Sequence, residues 1–138
     1  MRYLALVFLM AAACCAEDLC PYLNAATAAG VLGGEVSLHI NANFCVFARG
    51  SSQLRIEVQM VSLPYEPRCE PHPTALRGIG NAAFGCSTED KQGNLSEQIA
   101  ARVRDRAFFI RLTSNNIARA ALSEKVRSVA EQVAGSLY

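Results

Sequence analysis

Cys20, Cys45, Cys69 and Cys86 are spread through a chain that opens with Arg2, the uncharged run Tyr3–Ala13 and a further adjacent pair, Cys14 and Cys15. The apolar run is too short to cross a bilayer as a permanent helix and has the form of a secretory signal. Cleavage after Ala16, with Cys14 and Ala16 at the small-residue recognition positions, gives residues 1–16 as signal peptide and 17–138 as a single exported domain. Four cysteines then remain, an even number that can all pair in an oxidising compartment, periplasmic or secreted. The alternative is a lipid anchor on Cys14. It strands Cys15 as an odd thiol, and Ala11-Ala12-Ala13 lacks the Leu or Val usual three residues before a lipidated cysteine. Four cysteines allow three connectivities. The expected pairing joins sequence neighbours, Cys20 with Cys45 and Cys69 with Cys86, and a bond from Cys20 to Cys69 or Cys86 stays open.

Between the cysteines, hydrophobic periodicity sets the fold class. Asn24 can cap a two-turn helix that Gly33-Gly34 stops, with Leu23 stapled against Ala28. Val36, Leu38 and Ile40 alternate with polar residues, and Phe44–Phe47 returns as a partner strand after Asn41–Asn43. In the run Gln53–Ser62, Leu54, Ile56, Val58 and Met60 share one face, with Arg55, Glu57 and Gln59 on the other. A short strand fits Ala82–Cys86. Ile99–Val103 and Phe108–Leu112 read as a hairpin through Arg104-Asp105-Arg106. The stretch Asn115–Tyr138 is an amphipathic helix with Leu122, Val126, Val129, Ala130, Val133 and Leu137 along one stripe. The sum is an α+β fold: an antiparallel sheet of about five or six strands packed against a long C-terminal helix, with a short N-terminal helix.

Pro64, Pro67, Pro71 and Pro73 break this periodicity over Leu63–Gly78, where missing N–H groups and fixed φ forbid a helix interior or a central strand. A loop of this length inside a compact domain is uncommon unless it is functional or tied down, and Cys69 provides a tie. Its residues Tyr65, Arg68, His72 and Arg77, with Gly78, Gly80 and Asn81 behind them, form the candidate binding loop.

Charge and motif content exclude several functions. Thirteen basic residues face twelve acidic ones, a net charge of +1 that falls to zero without Arg2, so the excess positive charge that displaces counterions from nucleic acid is missing. Arg102, Arg104, Arg106 and Arg111 lie close in sequence and read as a solvated strand face, with an anion-binding patch as the alternative. Gly78-x-Gly80-x-x-Ala83 matches a dinucleotide fingerprint in letters only. A proline loop precedes it and Gly85-Cys86 stops any helix after it, so the glycines serve a tight bend. Cys69-Glu-Pro-His72 with His39 falls short of a metal site's paired ligand clusters. No nucleophile, base and orienting group can be assembled from the spacing. The expectation is therefore no catalytic residue, no metal and no cofactor.

The order of Leu19-Cys20, Leu23, Ala26, Ala29 and Leu32-Gly33-Gly34, then Phe44-Cys45, Gly78-Ile-Gly80-Asn-x-Ala83 and an amphipathic end helix resembles a family of small exported bacterial proteins of unassigned function, many of them actinobacterial lipoproteins. Segments such as Ser96–Phe108 and Ala130–Tyr138 are similar to acidobacterial relatives. The resemblance implies an α+β domain with an antiparallel sheet, a first disulfide between Cys20 and Cys45 and a loop carrying the Gly-x-Gly motif. It implies no catalytic residue. Cys69 and Cys86 read as an additional pair.

These readings converge on a non-enzymatic exported module that binds a protein, an envelope component or a small ligand, touching membrane only if Cys14 is lipidated. The alternative is a secreted or periplasmic hydrolase whose groups meet only in the fold. Convergent His, Asp or Ser side chains in a pocket distinguish the second from the first.

Overall fold

A computed structural model describes residues 19–138. The expectations for the apolar run, Cys14, Cys15 and the cleavage site fall outside the described residues.

Cys20 and Cys45 form one disulfide, and Cys69 and Cys86 form the other. Helix α1 (Ala25–Leu32) follows the first of these cysteines. The Asn24 side chain accepts a hydrogen bond from the Thr27 backbone N–H at 2.7 Å, and Gly33 leaves the helix with φ of 89°. Seven strands follow: β1 (Ser37–Ile40), β2 (Phe44–Arg49), β3 (Ser52–Met60), β4 (Thr74–Leu76), β5 (Ala82–Glu89), β6 (Leu95–Val103) and β7 (Arg106–Ser114). Helix α2 (Arg119–Ser136) closes the chain. The sheet is antiparallel throughout, in the order β1-β2-β3-β7-β6-β5-β4.

The strand count is therefore seven and not five or six. The added strand, β4, lies directly behind Pro73 and is three residues long. It sits at the sheet edge, the one place a proline-flanked segment can pair. α2 also begins later than the sequence periodicity suggests, because Asn115 and Asn116 are spent on side-chain contacts. The buried hydroxyls of Ser52 and Ser114 lie 2.8 Å apart, and Ser114 donates to Asn116 Oδ1 at 2.6 Å. Ser51 donates to Asn115 Oδ1.

One face of the sheet carries the core. Leu54, Ile56 and Val58 of β3, Ile99, Ala101 and Val103 of β6, and Phe108, Ile110 and Leu112 of β7 are buried with the Leu122, Val126, Val129 and Val133 stripe of α2. Each of these Val, Leu, Ile and Phe side chains contributes roughly 1.5–3 kcal/mol by leaving water. α2 covers β6 and β7 while α1 covers β2 and β3. The Lys125 ammonium donates to the Val31 carbonyl at 2.8 Å, which joins the two helices and satisfies a carbonyl at the end of α1. Met60, assigned by alternation to the buried face, is instead 66% exposed, because β3 outruns the helices that would cover it.

The topology explains the long proline loop. β3 and β4 are consecutive in the chain, yet β7, β6 and β5 lie between them. The connection therefore crosses four strand spacings, roughly 19 Å. It crosses over the face that the helices leave open: Cys86 points to that face, and Cys69 in the loop is bonded to it. Pro67, within the crossing segment, is fully buried, and Cys69, Cys86 and Ala100 form a second, small apolar cluster with Phe84 and Phe109.

Candidate functional site: an arginine-centred groove on the open sheet face

Strand alternation puts every second side chain on the open face, and the pairing register lines these side chains up into three rungs across the sheet. The first is mostly apolar, with one carboxylate: Phe44, Glu57, Phe109, Ala100 and Phe84 lie opposite one another in turn. The second runs His39, Val46, Arg55, Arg111, Gln98 and Cys86. The third is hydroxyl and amide: Gln53, Thr113, Ser96 and Thr88, with the hydroxyls of Ser96 and Thr113 2.8 Å apart. Successive rungs are about 7 Å apart along the strands.

The middle rung carries the electrostatics. Arg55 and Arg111 are direct cross-strand partners, an arrangement of like charges that costs stability in a sheet. Arg55 is partly compensated: its Nη2 lies 3.8 Å from Glu57 Oε2, and its guanidinium sits 4.1 Å from the centre of the Phe44 ring. Arg111 has no ion pair among the described residues. The third cation comes from the crossing loop. Cys69 is bonded to Cys86 on the same rung, which holds the chain at its neighbour Arg68 beside the groove that Arg68 lines.

Two concavities meet at this pair of arginines. One, about 400 Å³, is bounded by Arg55, Glu57, Arg68, Cys69, Gln98, Phe109 and Arg111. The other, about 440 Å³, adds Ser51, Gln53, Asn94 and Thr113 around the same Arg55 and Arg111. Together they form a trough with an aromatic side, a cationic centre and a hydroxyl-amide side. A guanidinium matches the oxygens of a carboxylate or phosphate bidentately, while the flanking amides can serve either sense of hydrogen bond.

Of the loop residues singled out from sequence, only Arg68 lines this trough. Tyr65 is half-buried, and His72 is exposed with φ of 53°. Arg77 to Asn81 serve the fold elsewhere. The Arg77 carbonyl accepts from Arg127 Nη2 at 2.6 Å. Gly78 and Gly80 bend the chain with φ of 82° and 57°. The Asn81 side chain accepts from the Arg104 N–H at 2.7 Å, pinning this bend to the β6–β7 turn. A Cβ on Gly80 would collide with the Arg102 carbonyl and with Val103, so glycine is required there for both φ and space. The Arg102–Arg111 cluster also separates: Arg104 sits in the β6–β7 turn and Arg106 opens β7, while Arg111 alone of the four lines the trough. Arg55, Gln98 and Phe109 carried no mark in the sequence as site residues, since only the β3–β7 pairing brings them together.

On the helix-covered face, Ser87 donates to the buried Glu97 carboxylate at 2.7 Å, and Arg119 Nη1 approaches that carboxylate at 3.5 Å. These contacts tie β5, β6 and the start of α2 together. His39 lies against Phe44 with ring centres 6.3 Å apart. No group of three or more His, Cys, Asp or Glu side chains is placed to hold a metal ion among the described residues.

The class defined by this architecture is a disulfide-linked α+β module with one helix-covered sheet face and one open, ligand-sized face. Compared with family models, curated proteins and solved structures, the chain matches none.

Proposed function

We propose that the protein is a non-enzymatic binding module of the cell envelope that takes an anionic ligand in the trough on the open sheet face. The observation that carries this reading is the direct pairing of Arg55 with Arg111, joined by Arg68 through the Cys69–Cys86 bond. A sheet that places like charges opposite one another gives up stability, and an anion bound between them recovers it. The two disulfides fit an oxidising compartment, and export through a signal cleaved after Ala16, or retention through Cys14, belongs to the same proposal.

Calorimetric titration with tripolyphosphate and with citrate tests the reading and separates phosphate from carboxylate chemistry. Saturable binding that weakens with added salt and falls at least tenfold in Arg111→Gln is the expected outcome. Equal affinity in wild type and Arg111→Gln, or no binding of either anion, overturns it.

A further inference from the structure

A carboxylate stands inside the arginine trough, where a plain anion has no use for it. Glu57 is half-buried and lines the first concavity together with Arg55, Arg68 and Arg111. Like charge repels a bound anion, so a site for a simple anion is weaker for its presence. The fold gains little from it. Its ionic neighbour among the described residues is Arg55, at 3.8 Å, and a partly exposed pair of that length contributes little to stability. Across the sheet, Glu57 has a phenylalanine on either side, Phe44 on β2 and Phe109 on β7. The Phe44 ring already carries a cation, the Arg55 guanidinium 4.1 Å from its centre. Phe109 carries none among the described residues, and it lines the first concavity beside Glu57. A carboxylate next to an aromatic ring that no cation occupies is the chemistry that receives an ammonium group.

The pair Glu57–Phe109 lies one rung from the pair Arg55–Arg111, about 7 Å along the strands. Opposite charges on adjacent rungs call for a ligand whose anion and cation are separated by a short bridge. An α-amino acid carries both on one carbon, too close to reach two rungs, whereas the two-carbon bridge of ethanolamine reaches from one to the next. Three guanidiniums offer more donors than a single carboxylate accepts, and the non-bridging oxygens of a phosphate ester take them. On the far side of the arginines, Gln53 and Thr113 are cross-strand partners on the hydroxyl-amide rung, able to meet a second, hydroxylated ester arm. We propose, on the reading of the trough as an anion site, that its ligand is a zwitterionic phosphate ester of the ethanolamine type, with the phosphate among Arg55, Arg68 and Arg111 and the ammonium between Glu57 and Phe109.

Calorimetric titration of the wild type and of Glu57→Gln with O-phosphoethanolamine, ethyl phosphate and tripolyphosphate tests this. Wild type should bind O-phosphoethanolamine about fivefold more tightly than ethyl phosphate, which lacks the ammonium. In Glu57→Gln that preference should vanish while tripolyphosphate binds more tightly, because one repelling charge is gone. Phe109→Leu, an apolar replacement that removes the ring, should reduce the same preference. Equal affinity of wild type for O-phosphoethanolamine and ethyl phosphate, or weakening of all three ligands alike in Glu57→Gln, overturns the proposal. Glycerophosphoethanolamine separates the two sources of this chemistry: tighter binding than the monoester assigns a lipid-headgroup diester, and weaker binding assigns a free phosphate ester. If wild type binds tripolyphosphate and shows no preference for the zwitterion, the ammonium site alone falls; if it binds no anion, the reading of the trough falls with it.

Discussion

Arg111 shows how a side chain can be plain in the sequence and opaque in meaning. Its cluster with Arg102, Arg104 and Arg106 was visible as a run of positive charge, but what matters is its partner across the sheet, Arg55, fifty-six positions earlier. Substitution separates function from stability at this site. Arg111→Gln relieves a like-charge pair and is expected to leave stability unchanged or raise it by about 0.5 kcal/mol in urea unfolding, while anion binding is lost. A loss of more than 1 kcal/mol would show that the arginine is structural. Asp90 gives a residue-scale expectation in pH. Hydrogen bonds from the Asn94 side chain, then from the Asn94 backbone and its neighbours, hold the Asp90 carboxyl below the ordinary aspartate range. A carboxyl depressed on folding stabilises the fold above its unfolded pKa, and that contribution disappears as pH falls through the folded value. A carbon-detected NMR titration should find its midpoint below that of a reference aspartate peptide and find it raised in Asn94→Ala; coincident midpoints would refute the assignment.

Elements whose determinants are local were legible from sequence. α1 carries its own start and stop, Asn24 and Gly33, and begins and ends where those residues dictate. Asn24→Ala should therefore cost about 1 kcal/mol in thermal or urea unfolding, with no effect on ligand affinity. Strands that alternate cleanly, such as β3, were equally readable, apart from Met60 at its end. The edge strand β4 was hidden because its three residues carry no periodicity and follow a proline-rich segment. The start of α2 was misplaced because Asn115 and Asn116, reasonable helix-entry residues in isolation, bond to the hydroxyls of Ser51, Ser52 and Ser114. Propensity gives way there to a tertiary contact that sequence periodicity does not register.

At the scale of the molecule, the decisive contact is β3 with β7, which fuses the β1-β2-β3 meander to the β4-β5-β6-β7 meander. That pairing makes the proline loop a crossing over the open face, sets the three rungs in register and assembles the trough. None of this follows from alternation within a strand, because register between distant strands is a property of packing. The Cys69–Cys86 bond then holds the crossing chain down. Replacing both cysteines with serine should lower stability by about 3 kcal/mol on loop-entropy grounds. It should also weaken anion binding several-fold, by freeing Arg68, in protein still shown to be folded by circular dichroism. Unchanged affinity would remove Arg68 from the site.

The central claim, that Arg55, Arg68 and Arg111 act together on one bound anion, is tested most directly by following arginine side-chain Nε–Hε resonances during a tripolyphosphate titration. These three signals should move along one saturating curve with a common dissociation constant, while those of Arg49, Arg106 and Arg119 stay in place. Uniform drift of all arginines, or movement of the three with unrelated constants, would contradict a built anion site on the open face.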